Sequence, residues 1–159
     1  ADGGWNCEAE NGSVRSSFDT TINVLDGLLE FERATGGSEQ VRTARHSGEE
    51  YLLERGLFRR QSTGGVVQAA YLEFAFPYYW HYDVLHALDY FRRSGADRDP
   101  RMTEAVAVLR SKRQPDGRWL LDRVHPGRVH FDLEGGAGAP SRWNTLCALR
   151  VLKWWDGTA

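Results

Sequence analysis

Cysteine is scarce in this chain. Cys7 and Cys147 are the only two among 159 residues, and neither has a second Cys or a His at the spacing of a zinc site or a redox pair. A disulfide-rich framework is therefore excluded. This pattern favours a reducing compartment and leaves one disulfide as an alternative.

Long apolar runs and a charge excess are also missing. No stretch approaches the roughly 20 apolar residues that cross a bilayer, and no charged start leads into an apolar signal sequence. Lys and Arg number 20 against 22 Asp and Glu, a formal net charge of −2, so no overall field attracts nucleic acid. We expect a cytoplasmic protein with no transmembrane segment and no nucleic-acid partner.

The chain does contain a spaced set of aromatic residues. Phe18, Trp80 and Trp143 each stand at the head of a helix-like segment and are 62 and 63 residues apart. The related sequences DGGW at 2–5 and DGRW at 116–119 precede the first and last of these segments. Because a fixed period marks helical-repeat proteins, we predict a repeat of about 62 residues.

The segments between these landmarks are of two kinds. Residues 17–31, 80–91 and 143–155 carry apolar side chains on more than one helical face, which predicts inner helices buried on several sides. Residues 41–52 and 102–109 carry a single apolar stripe and are predicted to be outer helices. The sequence thus predicts an all-α chain with 41% hydrophobic residues, enough for one core.

Local signals place the ends of these helices. Ser16 or Ser17 is suited to cap the first inner helix and Ser141 the last, and Gly36-Gly37 and Gly95 are suited to end the first two. Two long segments, 65–76 and the glycine-rich 120–139, read as loops. Loops of this length in a compact domain are usually functional or mobile.

The motif QPDGRW at 114–119 is similar to the Q-x-x-G-x-W motif of squalene-hopene cyclases and protein-prenyltransferase β subunits. GGW at 3–5 resembles the end of a second copy. The resemblance covers nearly the whole chain and implies a partial α/α-toroid, with residues 1–159 as one segment of a longer toroid. It is greatest to the C-terminal half of bacterial prenyltransferase or squalene-cyclase-like proteins of unassigned activity. The partner would be the missing N-terminal half or a second copy of the chain.

The chain departs from both families at their catalytic motifs. It has no D-x-D-D sequence, with which the cyclases protonate their substrate, and no D-x-C pattern, with which the prenyltransferases bind zinc. His81, and less directly Asp19, match the position of the zinc-binding His. A metal site would need partners such as His86 or His125, and His81 and His86 are not at a same-face spacing. We therefore predict no cofactor and no metal site, with zinc as an alternative.

Toroid geometry implies a candidate site, because the starts of the inner helices would gather at one mouth. Asp19 and His81, with Asp83 one turn further, are the catalytic candidates. Aromatic side chains and one amide are predicted to line a cavity there: Trp5, Phe18, Tyr78, Tyr79, Trp80, Tyr82, Trp143 and Asn144. The alternative is that the polar residues only cap helices and the aromatic residues fill the core, with Trp80 and Trp143 as anchors.

Three functions fit these predictions. The first is a terpenoid-cyclase or prenyltransferase-like toroid that binds an apolar or isoprenoid-like ligand, with catalysis left undecided. The second is a non-catalytic helical-repeat scaffold, because stacked helix pairs form extended binding surfaces. The third is a carbohydrate-active enzyme, which needs two facing acids such as Asp19 and Asp83.

Overall fold

The computed structural model describes residues 2–157, and half of the chain is helical. Its α-helices are α1 (Phe18–Thr35), α2 (Glu39–Leu53), α3 (Val84–Ser94), α4 (Thr103–Ser111) and α5 (Arg142–Asp156). Short 3-10 turns lie at Ala9–Asn11, Ala69–Leu72 and Pro100–Met102. Strand β1 (Trp119–Leu120) pairs antiparallel with β2 (Pro140–Ser141). The prediction of an all-α chain is confirmed.

The predicted helix ends agree with the structure where capping residues mark them. Ser17 and Ser141 have extended backbones, and their hydroxyls each accept an N–H of the first turn of α1 and α5. Gly36 and Gly95 end α1 and α3 with φ of 82° and 74°. Glycine reaches this left-handed conformation at little cost, which explains these stops.

The start of α3 differs from the prediction. We expected a helix from Trp80, but α3 begins at Val84 because the Asp83 carboxylate accepts the N–H of His86 and caps the helix there. Before this cap, Tyr79 has a φ of 50°, so the chain turns instead of continuing a helix. The prediction that Trp80 heads a helix is wrong.

The three aromatic heads also lie at different depths. Phe18 is 4% exposed, Trp143 38% and Trp80 64%. Neither Trp80 nor Trp143 is a buried core anchor, and the spacing of 62 residues does not mark equivalent positions. The argument for a repeat based on these three residues therefore fails.

Helix α3 lies at the centre of the core. It packs against α1, α4 and α5, while α1 also packs against α2. Its buried residues include Val84, Leu85, Ala87, Leu88, Tyr90 and Phe91. Within residues 2–157, no helix has the length and hydropathy needed to cross a membrane.

The other helices bury narrower faces. In α4, Ala105, Val106 and Leu109 form the predicted single stripe. Burial on several sides is confirmed for α3 but not for α5, because Leu146 and Leu149 of α5 are exposed. Helix α5 therefore presents an apolar face to solvent.

Candidate functional site

Asp19 connects α1 to the segment that precedes α3. One carboxylate oxygen accepts the backbone N–H of Tyr82 at 2.9 Å, and the other accepts the hydroxyl of Tyr71 at 2.9 Å. Burial and the nearby Asp19 charge raise the pKa of Tyr71 well above its ordinary value, so this phenol stays protonated and donates. The contacts of Asp19 hold two chain segments together.

Asp83 is buried at the start of α3. Its oxygens accept the N–H groups of His86 at 2.8 Å and Ala75 at 3.1 Å. Burial raises its pKa to about 6, although these two hydrogen bonds oppose the shift. Each of the four carboxylate oxygens of Asp19 and Asp83 thus accepts a hydrogen bond from the fold, which gives both acids a structural role.

Asn144 is fully buried in the first turn of α5. Its amide donates to the carbonyl oxygens of Leu120 at 3.0 Å and Phe74 at 3.3 Å. The next residue, Thr145, accepts the N–H of Trp119 at 3.0 Å through its hydroxyl. Both residues therefore satisfy backbone groups between α5 and the segments around it.

His81 lies within a stack of rings outside the core. Trp80 covers one face of its imidazole, with ring centroids 3.7 Å apart, and His125 covers the other face, also at 3.7 Å. Burial, with help from Arg123, lowers the pKa of His81. Burial together with His81 and Arg123 lowers the pKa of His125 to about 4. Both imidazoles are uncharged at neutral pH.

Tyr78 lies deeper than the predicted cavity wall. Its ring stacks on His86 with centroids 4.2 Å apart, and His86 in turn hydrogen-bonds the Asp26 carboxylate at 2.8 Å. The Tyr78 hydroxyl is buried near the Cys147 thiol and has no hydrogen-bond partner among residues 2–157. Burial raises the pKa of Tyr78 well above its ordinary value.

Three further aromatic residues predicted for the cavity are part of the packing between helices. Two of them, Phe18 and Tyr82, form a buried cluster with Tyr71, in which the ring centroids are 4.8 to 5.2 Å apart. Trp5 packs against Gly48 of α2 so closely that a side chain at Gly48 would clash with its ring. Phe18, Tyr82 and Trp5 are therefore occupied by the fold itself.

An open cavity of about 510 Å³ lies beside this region, between residues 76–79 and the loop 121–136. Its apolar walls include Phe76, Tyr79, Leu121, Val124, Phe131 and Leu133. His125, Asp132 and Glu134 supply its charged or hydrogen-bonding side chains. Of the residues predicted to bind a ligand, only Tyr79 lines this cavity.

Two sets of contacts join the cavity wall to the start of α5. The ring of Phe76 stacks on Trp143 of α5 with centroids 5.0 Å apart and planes 14° from parallel. One oxygen of Glu134 accepts the Ser141 hydroxyl at 2.9 Å and the Trp143 N–H at 3.1 Å. Trp143 thus supports the wall, and Glu134 joins the loop to the positive end of the α5 dipole.

Sequence reasoning located this loop but missed its residues. Phe131 is 70% exposed although it faces a cavity, and Val124 and Val129 in the same loop are also exposed. Apolar residues within a glycine-rich loop of this length were the available signal. Helix periodicity could not find them, because the loop has no regular period.

No metal site accompanies the cavity among residues 2–157, where no three His, Cys, Asp or Glu side chains are grouped as ligands. Cys7 and Cys147 are both free thiols. No family model, curated protein or solved structure matches this chain. Its function must therefore be argued from the chemistry of the cavity.

Proposed function

We propose that this protein binds an apolar or isoprenoid-like small molecule in the cavity between residues 76–79 and 121–136. The observation that carries the proposal is Phe131, a large apolar side chain that remains 70% exposed while lining a cavity of about 510 Å³. Small-molecule sites are usually concave, mainly apolar and of about 300 to 1,000 Å³. A ligand would remove from water the apolar surface that the fold leaves uncovered.

The proposal includes an α/α-toroid-like arrangement of the helices. Its support is a contact that occurs twice. The backbone N–H of Trp5 donates to the Thr21 hydroxyl, and the backbone N–H of Trp119 donates to the Thr145 hydroxyl, each at 3.0 Å. Each threonine stands four residues after the serine that caps its helix. The glycine two residues before each tryptophan is left-handed, with φ of 89° and 84°. These shared details are expected of repeated units.

The proposal concerns binding and leaves catalysis as a separate prediction. Asp19 and Asp83 do not line the cavity, and each of their carboxylate oxygens accepts a hydrogen bond from the fold. His81 contacts the cavity residue His125 by stacking and does not itself line the cavity. A cyclase or prenyltransferase reaction would therefore need other residues.

A fluorescence titration tests this proposal. The neutral dye N-phenyl-1-naphthylamine should bind at one site with increased emission, and farnesol should displace it. Phe131→Ser should weaken dye binding about ten-fold, because a bound ligand would cover this ring. The fold should tolerate the change because the side chain is mostly exposed.

The matched control is Phe31→Ser, which alters an exposed phenylalanine of α1 outside the cavity. It should leave dye affinity unchanged. Equal effects of the two substitutions, or no saturable binding by the unaltered protein, would reject the cavity as the ligand site.

A non-catalytic scaffold is the second candidate, and one observation favours it. Trp143, Leu146 and Leu149 recur every three residues on α5 and are all exposed. A second copy of the chain or another segment of the same protein could cover this face. Light scattering separates the candidates: self-association that Leu149→Glu abolishes would favour the scaffold.

A further inference from the structure

We propose that the ligand of this cavity carries a positive charge next to its apolar part, as a protonated or quaternary amine does. This inference rests on the proposed function, since it specifies the class of ligand for the same cavity.

The first argument is the charge of the lining. Asp132 and Glu134 line the cavity, and no Lys or Arg does. Within residues 2–157, neither acid forms an ion pair. The third polar group, His125, is uncharged at neutral pH because burial, together with His81 and the nearby charge of Arg123, lowers its pKa to about 4. The lining therefore has two negative groups and no positive group.

The second argument concerns the nearby helix terminus, where an anion would otherwise bind. The first turn of α5 adjoins the cavity, but Glu134 already accepts the Trp143 N–H and the Ser141 hydroxyl there. Arg142, the nearest basic residue of α5, donates to the carbonyl of Leu133 and does not line the cavity. A phosphate or carboxylate in the cavity would therefore meet the two like charges of Asp132 and Glu134.

The third argument is the aromatic content of the walls. Phe76, Tyr79 and Phe131 all line the cavity. Aromatic faces attract ammonium groups, and quaternary ammonium ligands are often held by several such rings. Carboxylates and aromatic rings in one open cavity favour the same kind of ligand, an apolar cation.

Three probes of nearly the same shape test the inference: benzyltrimethylammonium, its neutral isostere neopentylbenzene and the anion phenylmethanesulfonate. Dissociation constants would be measured at low ionic strength by ligand-observed NMR. We expect the cation to bind about ten-fold more tightly than the neutral isostere, with the anion weakest. Added salt should reduce the preference for the cation.

Asp132→Asn removes one charge from the exposed loop and should weaken cation binding about three-fold or more while leaving the neutral probe unchanged. Glu10→Gln gives the same change of net charge outside the cavity and should alter neither probe. Tighter binding of the neutral probe than of the cation would overturn this inference and leave the proposed function standing. No binding by the cation or the neutral probe would overturn both.

Discussion

Polar side chains serve different ends in two neighbouring regions of this protein. In the junction, which we define as Asp83, Trp119 and Asn144, each side chain is buried and makes at least two hydrogen bonds or one indole hydrogen bond within the fold, and among residues 2–157 only the Asn144 side-chain oxygen of this group has no partner. In the loop 121–136, Asp132 is exposed and makes no ion pair, while Glu134 bonds through one oxygen. The comparison teaches that helix starts rich in polar residues are not evidence of a site, because buried polar groups are normally satisfied.

The largest expected effect comes from the junction. Trp119 is fully buried, and its indole N–H donates to the Leu109 carbonyl at 2.7 Å. Trp119→Ala should lower the free energy of unfolding by about 3 to 5 kcal/mol, since it leaves a cavity and an unpaired carbonyl. Trp80→Ala, the matched control at an exposed position, should cost about 1 kcal/mol or less. Urea denaturation of both variants measures the difference, and equal losses would break the comparison.

An intermediate effect is expected from pH. The pKa of Asp83 is about 6 in the folded chain against an ordinary value of 3.8, so the folded state binds the proton more tightly. The resulting stabilisation is complete below pH 3.8 and is lost as the pH rises through 6. We expect the free energy of unfolding to fall by about 2 kcal/mol over this interval from this group.

Asp83→Asn isolates this contribution, because asparagine also caps helices but does not titrate. Its unfolding free energy should change less between pH 4 and 6.5 than that of the unaltered chain. Parallel pH profiles for the two proteins would show that Asp83 is ionised at its ordinary pKa.

The smallest effects should come from the loop. Asp132→Asn should change the free energy of unfolding by less than about 0.5 kcal/mol, because no contact within the fold depends on its charge. Glu134→Gln should cost about 0.5 to 1 kcal/mol through the weaker interaction with the start of α5. The melting temperatures of both variants measure how much less the loop contributes to stability than the junction. If Asp132→Asn lowered the stability as much as Trp119→Ala does, Asp132 would have a structural role like that of the junction residues.

The helices were predictable where local chemistry decides their ends. The caps and stops act through hydrogen bonds and dihedral angles within their own turns, so the residue type alone indicates them. These residues are Ser17, Ser141, Gly36 and Gly95. The start of α3 differs from the prediction because the Asp83 carboxylate caps the helix three residues after Trp80, and an aromatic side chain provides no such cap. Spacing between similar residues is a weaker signal than capping chemistry.

The sequence by itself determined the helical class, most helix ends and the long loop, because those depend on interactions within a few residues. Tertiary structure alone decided which polar groups remain free. Asp83 and Asp132 are the same amino acid, yet one is buried with both oxygens bonded to backbone N–H groups and the other lies exposed beside a cavity. Burial and hydrogen-bond satisfaction arise from segments far apart in the chain, so no local pattern contains them.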